Sequence, residues 1–225
     1  MTWPSTSDAL AREQARIAAL APDPWWPPPG RLRVGACAVV FGRAGRDDRG
    51  WAAAVMVDGG AIVDSRTCTA WTDAPFRPGE LALREGPILE GVVRALPAPP
   101  PDVLLVAAAG RDHPRRAGLA RHLGAVLDVP TVGVTDDPLL ATGTEPGPAR
   151  GDRTPLRLAD ETVAYRVRTR AGAKAVVAHA GWRTSAELAA ELVLESALAT
   201  RWPVALREAR RLARERRAAE SPPRT

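Results

Sequence analysis

Apolar residues recur at helical spacing from Ser5 to Leu20, where Leu10, Ile17 and Leu20 share a side with alanines. That pattern predicts a first helix, with serine, threonine or aspartate available to cap it. Trp25-Trp26-Pro27-Pro28-Pro29-Gly30 then reads as a rigid extended link, its tryptophans packed under a sheet or offered for stacking. The period changes after it. Leu32–Phe41 is an unbroken apolar run suited to a buried strand, and Arg43–Gly50 is a charged turn. Trp51–Val57 and Ala61–Thr69 flank Asp58-Gly59-Gly60, a hairpin signal. The front of the chain is therefore predicted to be an antiparallel meander.

Further on, Ile88–Leu96 predicts a helix and Val103–Ala109 a strand buried on both faces. Gly110–Pro114 is a turn, Arg115–Leu127 a helix and Thr131–Val134 another buried strand. A strand-helix-strand unit of this size implies a parallel pair with a right-handed crossover. Strand ends carry the sites in such sheets, which singles out residues 105–113. Asp136–Asp160 is rich in Gly, Pro and Thr and reads mostly as loop. Glu161–Arg168 and Ala175–Ala178 read as strands, and Thr184 or Ser185 caps a helix running to about Leu198. Val204–Arg217 is a final helix bearing Arg207, Arg210, Arg211, Arg214, Arg216 and Arg217. Its charge suits a solvated face or a phosphate-contacting one.

The pattern is that of an α/β protein in one domain over residues 1–225, with residues 205–225 a basic helix and a frayed tail. The 225 residues suffice for a real core. No apolar run reaches the ~18 residues of a membrane span, and the amino terminus lacks the pattern of a secretory signal. A cytoplasmic location without membrane partners is expected. Cys37 and Cys68 give neither a disulfide framework nor a C-x-x-C site. The formal charge of +5 is compatible with DNA or RNA, but Lys174 is the only lysine. The excess of arginine looks as much like compositional bias as binding adaptation.

Candidate chemistry centres on Pro75–Pro87, where prolines discourage continuous helix before Pro78 and Pro87 and leave Glu85 near a joint. A carboxylate there suits a metal ligand, a base, or simply a helix amino terminus. His113 is either a turn-holding residue or an acid-base group, His122 reads as structural, and His179 follows a strand. Arg84, Arg115, Arg116 and Arg183 are candidate anion contacts, and Cys37 reads as a quiet core thiol.

Several blocks resemble the endonuclease V family at nearly full length: Val34-Gly35-Ala36-Cys37, Pro75-Phe76-Arg77-Pro78-Gly79, Leu83-Arg84-Glu85-Gly86-Pro87, Gly110, His113 to Gly118, Val129 to Val134 and Gly181 to Ser185. The resemblance implies a ribonuclease H-like fold, a central mixed sheet with helices on both sides. It also implies magnesium-dependent cutting of DNA or RNA near a deaminated adenine. The family's three metal-binding carboxylates fall on Cys37, Glu85 and Ala107, so only the glutamate stands. A glycine and a histidine of the pattern fall on Ala108 and Ala109, a lysine on Asp136, and the histidine of Gly-His-Arg on Trp182. Phe76 replaces the wedge tyrosine and keeps its stacking face, and Glu187 roughly keeps an acidic position.

These departures favour a degenerate metal site, with no cofactor expected and the cleft kept for nucleic acid or a protein partner. The expected cleft comprises Phe76, Arg77, Gly79, Arg84, Gly110, Arg115, Arg116, Trp182 and Arg183. A second reading is a repurposed enzyme acting on a small anionic ligand through Glu85, His113 and the arginines, with Trp182 and Phe76 lining its pocket. The third is a working nuclease cutting near inosine with displaced magnesium ligands.

Overall fold

A computed structural model describes residues 3–42 and 48–220. Strand β1 (Arg33–Phe41) pairs antiparallel with β2 (Arg49–Asp58), which pairs antiparallel with β3 (Ala61–Trp71). This is the predicted meander, although most of its first turn falls on residues 43–47, outside the described residues. Small side chains let this part of the sheet be covered closely. Ala52, Ala53 and Ala54 of β2 are wholly buried.

Parallel pairing begins on the other edge of β1. Strand β4 (Val103–Val106) lies beside it, with Cys37 opposite Val106, and β5 (Thr131–Thr135) lies beside β4. The sheet continues antiparallel through β8 (Val176–Ala180), β7 (Glu161–Val167) and β6 (Arg153–Leu158). Its order is β3-β2-β1-β4-β5-β8-β7-β6. Alternation on the strands builds two cores. Leu104, Val106 and Cys37 face α1 (Ser7–Ala19), α2 (Leu81–Arg94) and α3 (Leu119–Leu127). Val103, Leu105 and Ala36 face α4 (Ala186–Ala197) and α5 (Val204–Glu220). A central mixed sheet covered by helices on both faces is the α/β architecture expected.

Several expectations need correction. Helix α2 starts at Leu81 and carries Pro87 inside it, so Glu85 lies within a helix and not at a joint. Burial of Ala82, Ile88, Leu89, Val92 and Val93 along one stripe outweighs the hydrogen bond that proline removes. Strand β6 was hidden in the stretch read as loop. It is an edge strand, where Pro155 is tolerated because no outer neighbour needs its N–H. Helix α3 starts only at Leu119, because Arg116 adopts a left-handed backbone (φ 55°) that no helix continues. Trp25 packs against the core under α4 and α5, but Trp26 is 73% exposed. Cys37 and Cys68 sit two strands apart and are free thiols. The frayed tail falls on residues 221–225, outside the described residues. No described helix is long and apolar enough to cross a membrane.

Helix α1 is fastened by one buried side chain. Thr6 caps its amino end by accepting from the Ala9 N–H. At its other end the Arg121 Nη2 donates to the carbonyls of Ile17, Ala18 and Leu20 at 3.2–3.4 Å. Arg121 is 2% exposed, and burial pulls its pKa down to about 10. A cation there also suits the negative end of the helix dipole. Arg121→Met should lower unfolding free energy by about 2 kcal/mol, the scale of charged hydrogen bonds. Urea unfolding reads this directly, and an unchanged midpoint would show that α1 is held by its apolar face alone.

Candidate functional site

The segment leaving β4 turns sharply over residues 107–118 and is pinned from several sides. Asp112, wholly buried, accepts the backbone N–H groups of Leu139, Leu140 and Ala141 at 2.7–2.9 Å. The loop after β5 is thereby tied to the loop after β4. His113, 3% exposed, does the same toward the proline turn. Its Nδ1 accepts from the Arg115 N–H at 3.2 Å, which leaves the proton on Nε2 to be donated to the Gly79 carbonyl at 2.9 Å. Burial, opposed by that hydrogen bond, keeps the His113 pKa low, so the ring is neutral. Gly79 takes φ +80°, the conformation that lets the proline turn close over this ring.

Between these loops lies a largely apolar cavity of about 240 Å³. Ala107, Ala108 and Ala109 form part of its wall, Gly79 and His113 another, and Phe76 stands at its edge, 67% exposed. Gln14, Asp137 and Leu139 also line it and were not singled out in the sequence. Gln14 was legible as a buried polar position on α1. It donates to the Gly79 carbonyl and accepts from Arg115. Asp137 and Leu139 sat in a stretch with no periodicity to mark them.

The other expected cleft residues scatter. Arg84 is 8% exposed, lies 4.1 Å over the Phe41 ring and donates to the Ala74 carbonyl. Arg77 is exposed and close to Glu80 and Ser7. Arg115 is exposed beside Gln14. Arg116 donates to the Leu158 carbonyl and meets Glu161. Trp182 does not line the cavity with Phe76. It is 6% exposed and packs with Ile17, Ala117 and Ala125 between α1 and α3, because its ring needs more apolar cover than a strand end gives. Arg183 stays with it on that side, donating to the Asp23 carbonyl. Gly110 sits behind the wall, its backbone against Ala180.

Ala107 follows the last residue of β4, and Cys37, in the middle of β1, lies beside that strand end through its register with Val106. Glu85 approaches the same place from α2 and, after burial itself, helps push the Cys37 thiol further from ionisation. Glu85 has no hydrogen bond or ion pair to another described residue. Burial raises its pKa to about 7, with Arg84 opposing. Among the described residues, no three of His, Cys, Asp and Glu gather closely enough to hold a metal ion. The buried His179 donates through Nε2 to Thr135 Oγ1, whose hydroxyl gives its own proton to the Asp137 carbonyl. His179 Nδ1 faces Asp112 at 3.8 Å, and burial holds the ring neutral. His122 is buried and stacks on Trp3 at 4.6 Å.

Comparison with known proteins agrees with this fold. A family model described as Endonuclease V matches residues 28–211. Endonuclease V of Methanopyrus kandleri is 44% identical over 165 residues, covering 72% of this chain and 71% of the relative. That of Streptomyces coelicolor is 36% identical over 217 residues, covering 94% and 91%. Among solved structures, endonuclease V of Streptomyces avermitilis superposes with a TM-score of 0.86 at 33% identity, covering 97% of this chain and 96% of the other. The catalytic domain of human endonuclease V gives a TM-score of 0.85 at 29% identity, covering 97% and 100%. With this fold, this loop arrangement and matches of this extent, the chain belongs to the endonuclease V family.

Proposed function

We propose that this protein binds nucleic-acid strands through the Phe76 cavity and has lost metal-dependent strand cleavage. The observation that carries the reading is the donor set where the family pattern places its carboxylates. Ala107 has no ligand atom. Cys37 is wholly buried and held in the thiol form by desolvation, and sulfur suits softer metals than magnesium. Glu85 alone offers oxygen, and burial favours its neutral form near pH 7. Magnesium demands several hard oxygen ligands in near-octahedral array. These residues do not fit it.

The binding half rests on what remains. The cavity has an apolar wall and an exposed aromatic ring at its rim, a combination suited to receiving a flat base and stacking beside it. Both ring nitrogens of His113 are engaged with backbone, which supports a holding role over proton transfer. Arg84, Arg116 and Arg183 are likewise engaged, which speaks against a small anionic substrate clamped by cleft arginines.

A second reading, an active endonuclease V, draws on the comparisons, which favour it over a lost activity. Relatives at 44% and 36% identity carry that name. It requires ligands supplied from outside the family positions. The two readings part in one assay. Purified protein with an inosine-containing oligonucleotide and magnesium should retain the strand in a gel shift and leave it intact. Magnesium-dependent nicking that disappears in Glu85→Ala would establish the active reading.

Glu85 gives a second test. Its folded pKa lies above the unfolded value, so its contribution to stability is full below about pH 4.5 and is lost as pH rises through about 7. Glu85→Gln should remove that slope and gain roughly 2 kcal/mol over the parent at pH 8, after allowance for partial solvent contact. Parallel stability-against-pH curves for parent and variant from pH 4 to 8 would mean that the Glu85 carboxyl titrates alike in the folded and unfolded chain.

A further inference from the structure

Helix α5 divides its arginines into two kinds. Arg211 pairs with Glu208 and Glu215, Arg216 pairs with Glu220, and Arg217 donates to the Phe41 carbonyl. Those three side chains are neutralised locally or spent on the fold, Arg217 through its backbone acceptor. Arg207, Arg210 and Arg214 follow one another at i, i+3 and i+7, so they form a single stripe. None of the three has an ion pair with a described residue. The opposite stripe of α5, Ala205, Leu206, Ala209 and Ala213, is buried on the sheet. The helix is thus held with its unpaired cations directed away from the core.

The stripe lines a groove of about 440 Å³ together with Arg170 from the β7–β8 loop, Arg201, Trp202 and Asp136. Arg201 reaches Asp136 at 2.5 Å and also donates to the carbonyls of Lys174 and Ala175, so these two opposite charges cancel. Trp202 carries the Arg210 guanidinium 3.7 Å above its ring, a geometry that orients a cation without neutralising it. Burial lowers the Arg210 pKa, Asp136 opposes, and Arg214 and Arg201 add to the lowering. Four cations facing one concavity with one paired acid repel each other unless an anion enters. Arg207 and Arg214 are separated by about 10 Å along the helix. A row of phosphates can follow that length, whereas one small anion cannot span it.

We propose that the groove between α5, Trp202 and Arg170 binds successive phosphates of a nucleic-acid strand, as a site separate from the Phe76 cavity. The two places are joined through one short segment, since Asp136 lies in the groove while Thr135 and Asp137 line the cavity. The groove reads phosphate and carries no base preference. The assignment shares the strand-binding premise of the proposed function but not its cavity.

The test is a salt titration of binding to a labelled single strand without inosine, using the full chain and its Arg207→Glu/Arg214→Glu variant. Both positions are exposed, so the variant should fold, and a circular dichroism melt checks that. We expect affinity to fall about 10- to 100-fold and the slope of log K against log salt to shrink by about 1.4, the single-strand value for two lost contacts. An unchanged slope overturns the groove. Inosine preference that persists with an unchanged slope leaves the cavity reading standing alone. A reduced slope without any inosine preference in the parent keeps the groove and removes the cavity reading. If no strand is bound even at low salt, both fall. Inorganic phosphate at matched ionic strength should compete no better than chloride. Specific displacement by phosphate would assign the groove to a small anion instead.

Discussion

The carboxyl end of β4 is where the molecule has least freedom. Gly110 leaves no room for a side chain, since a Cβ there would collide with the Ala180 carbonyl oxygen on β8. The same carbonyl accepts the Arg111 N–H, and the Gly110 carbonyl accepts the Gly118 N–H, both at 2.8 Å. Backbone packed on backbone fixes the loop that bears Asp112 and His113. Those two side chains pass the constraint outward, one to residues 139–141 and one to the proline turn. The cavity is the space left between loops that cannot move independently. Its shape is therefore set by hydrogen bonds among its own wall residues, His113, Gly79 and Leu139, and the buried Asp112 behind them.

The basic composition gains a second meaning from the structure. The chain has 22 prolines, each lacking a backbone donor, and long stretches outside the sheet. Their carbonyls still need partners when covered. Arginine supplies five donors per side chain. Arg168 donates to the Pro146 and Gly147 carbonyls, Arg116 to Leu158, and Arg150 to Leu194 and Leu198. A high isoelectric point here largely reflects arginines that close loops and cap helices. Positive charge becomes informative about a ligand only where a guanidinium lacks both a carbonyl and a carboxylate, as along one stripe of α5.

Much of this was legible in the chain. The glycine hairpin between β2 and β3, the apolar runs of β4 and β5 and the Ser185 cap of α4 are local signals, and local signals survive folding. The misses share one cause, tertiary packing overruling a local rule. Pro87 marked a helix boundary by its own chemistry, yet the apolar stripe on both sides of it carries α2 through. Pro155 argued against a strand, yet an edge position removes the objection. Trp182 sat in a motif beside expected cleft residues, but a large apolar ring follows the available cover, which lies between α1 and α3. For the site, the sequence identified the Phe76 turn, Gly79, His113 and Ala107. Gln14 stood out only as a polar position on the first helix, and Asp137 and Leu139 carried no signal, because elements distant in the chain bring all three to the cavity.

The proposed loss of cleavage is physically compatible with so complete a fold because the two sets of demands fall on different atoms. At 107, where the strand ends against the core beneath α4 and α5, alanine is partly buried and fits without strain on the fold. At 37, facing α2 across a wholly buried layer, the thiol packs like a small hydrophobe. Carboxylates at both positions would bring negative charge beside Glu85 in a poorly solvated corner, a cost that only a bound cation offsets. Without the cation, alanine, a neutral thiol and a glutamate whose pKa is raised to about 7 form a set with little charge to bury. On this reading the corner has settled into ordinary core chemistry, while the turn bearing Phe76, fixed by His113 and Gly79, keeps its aromatic ring in solvent.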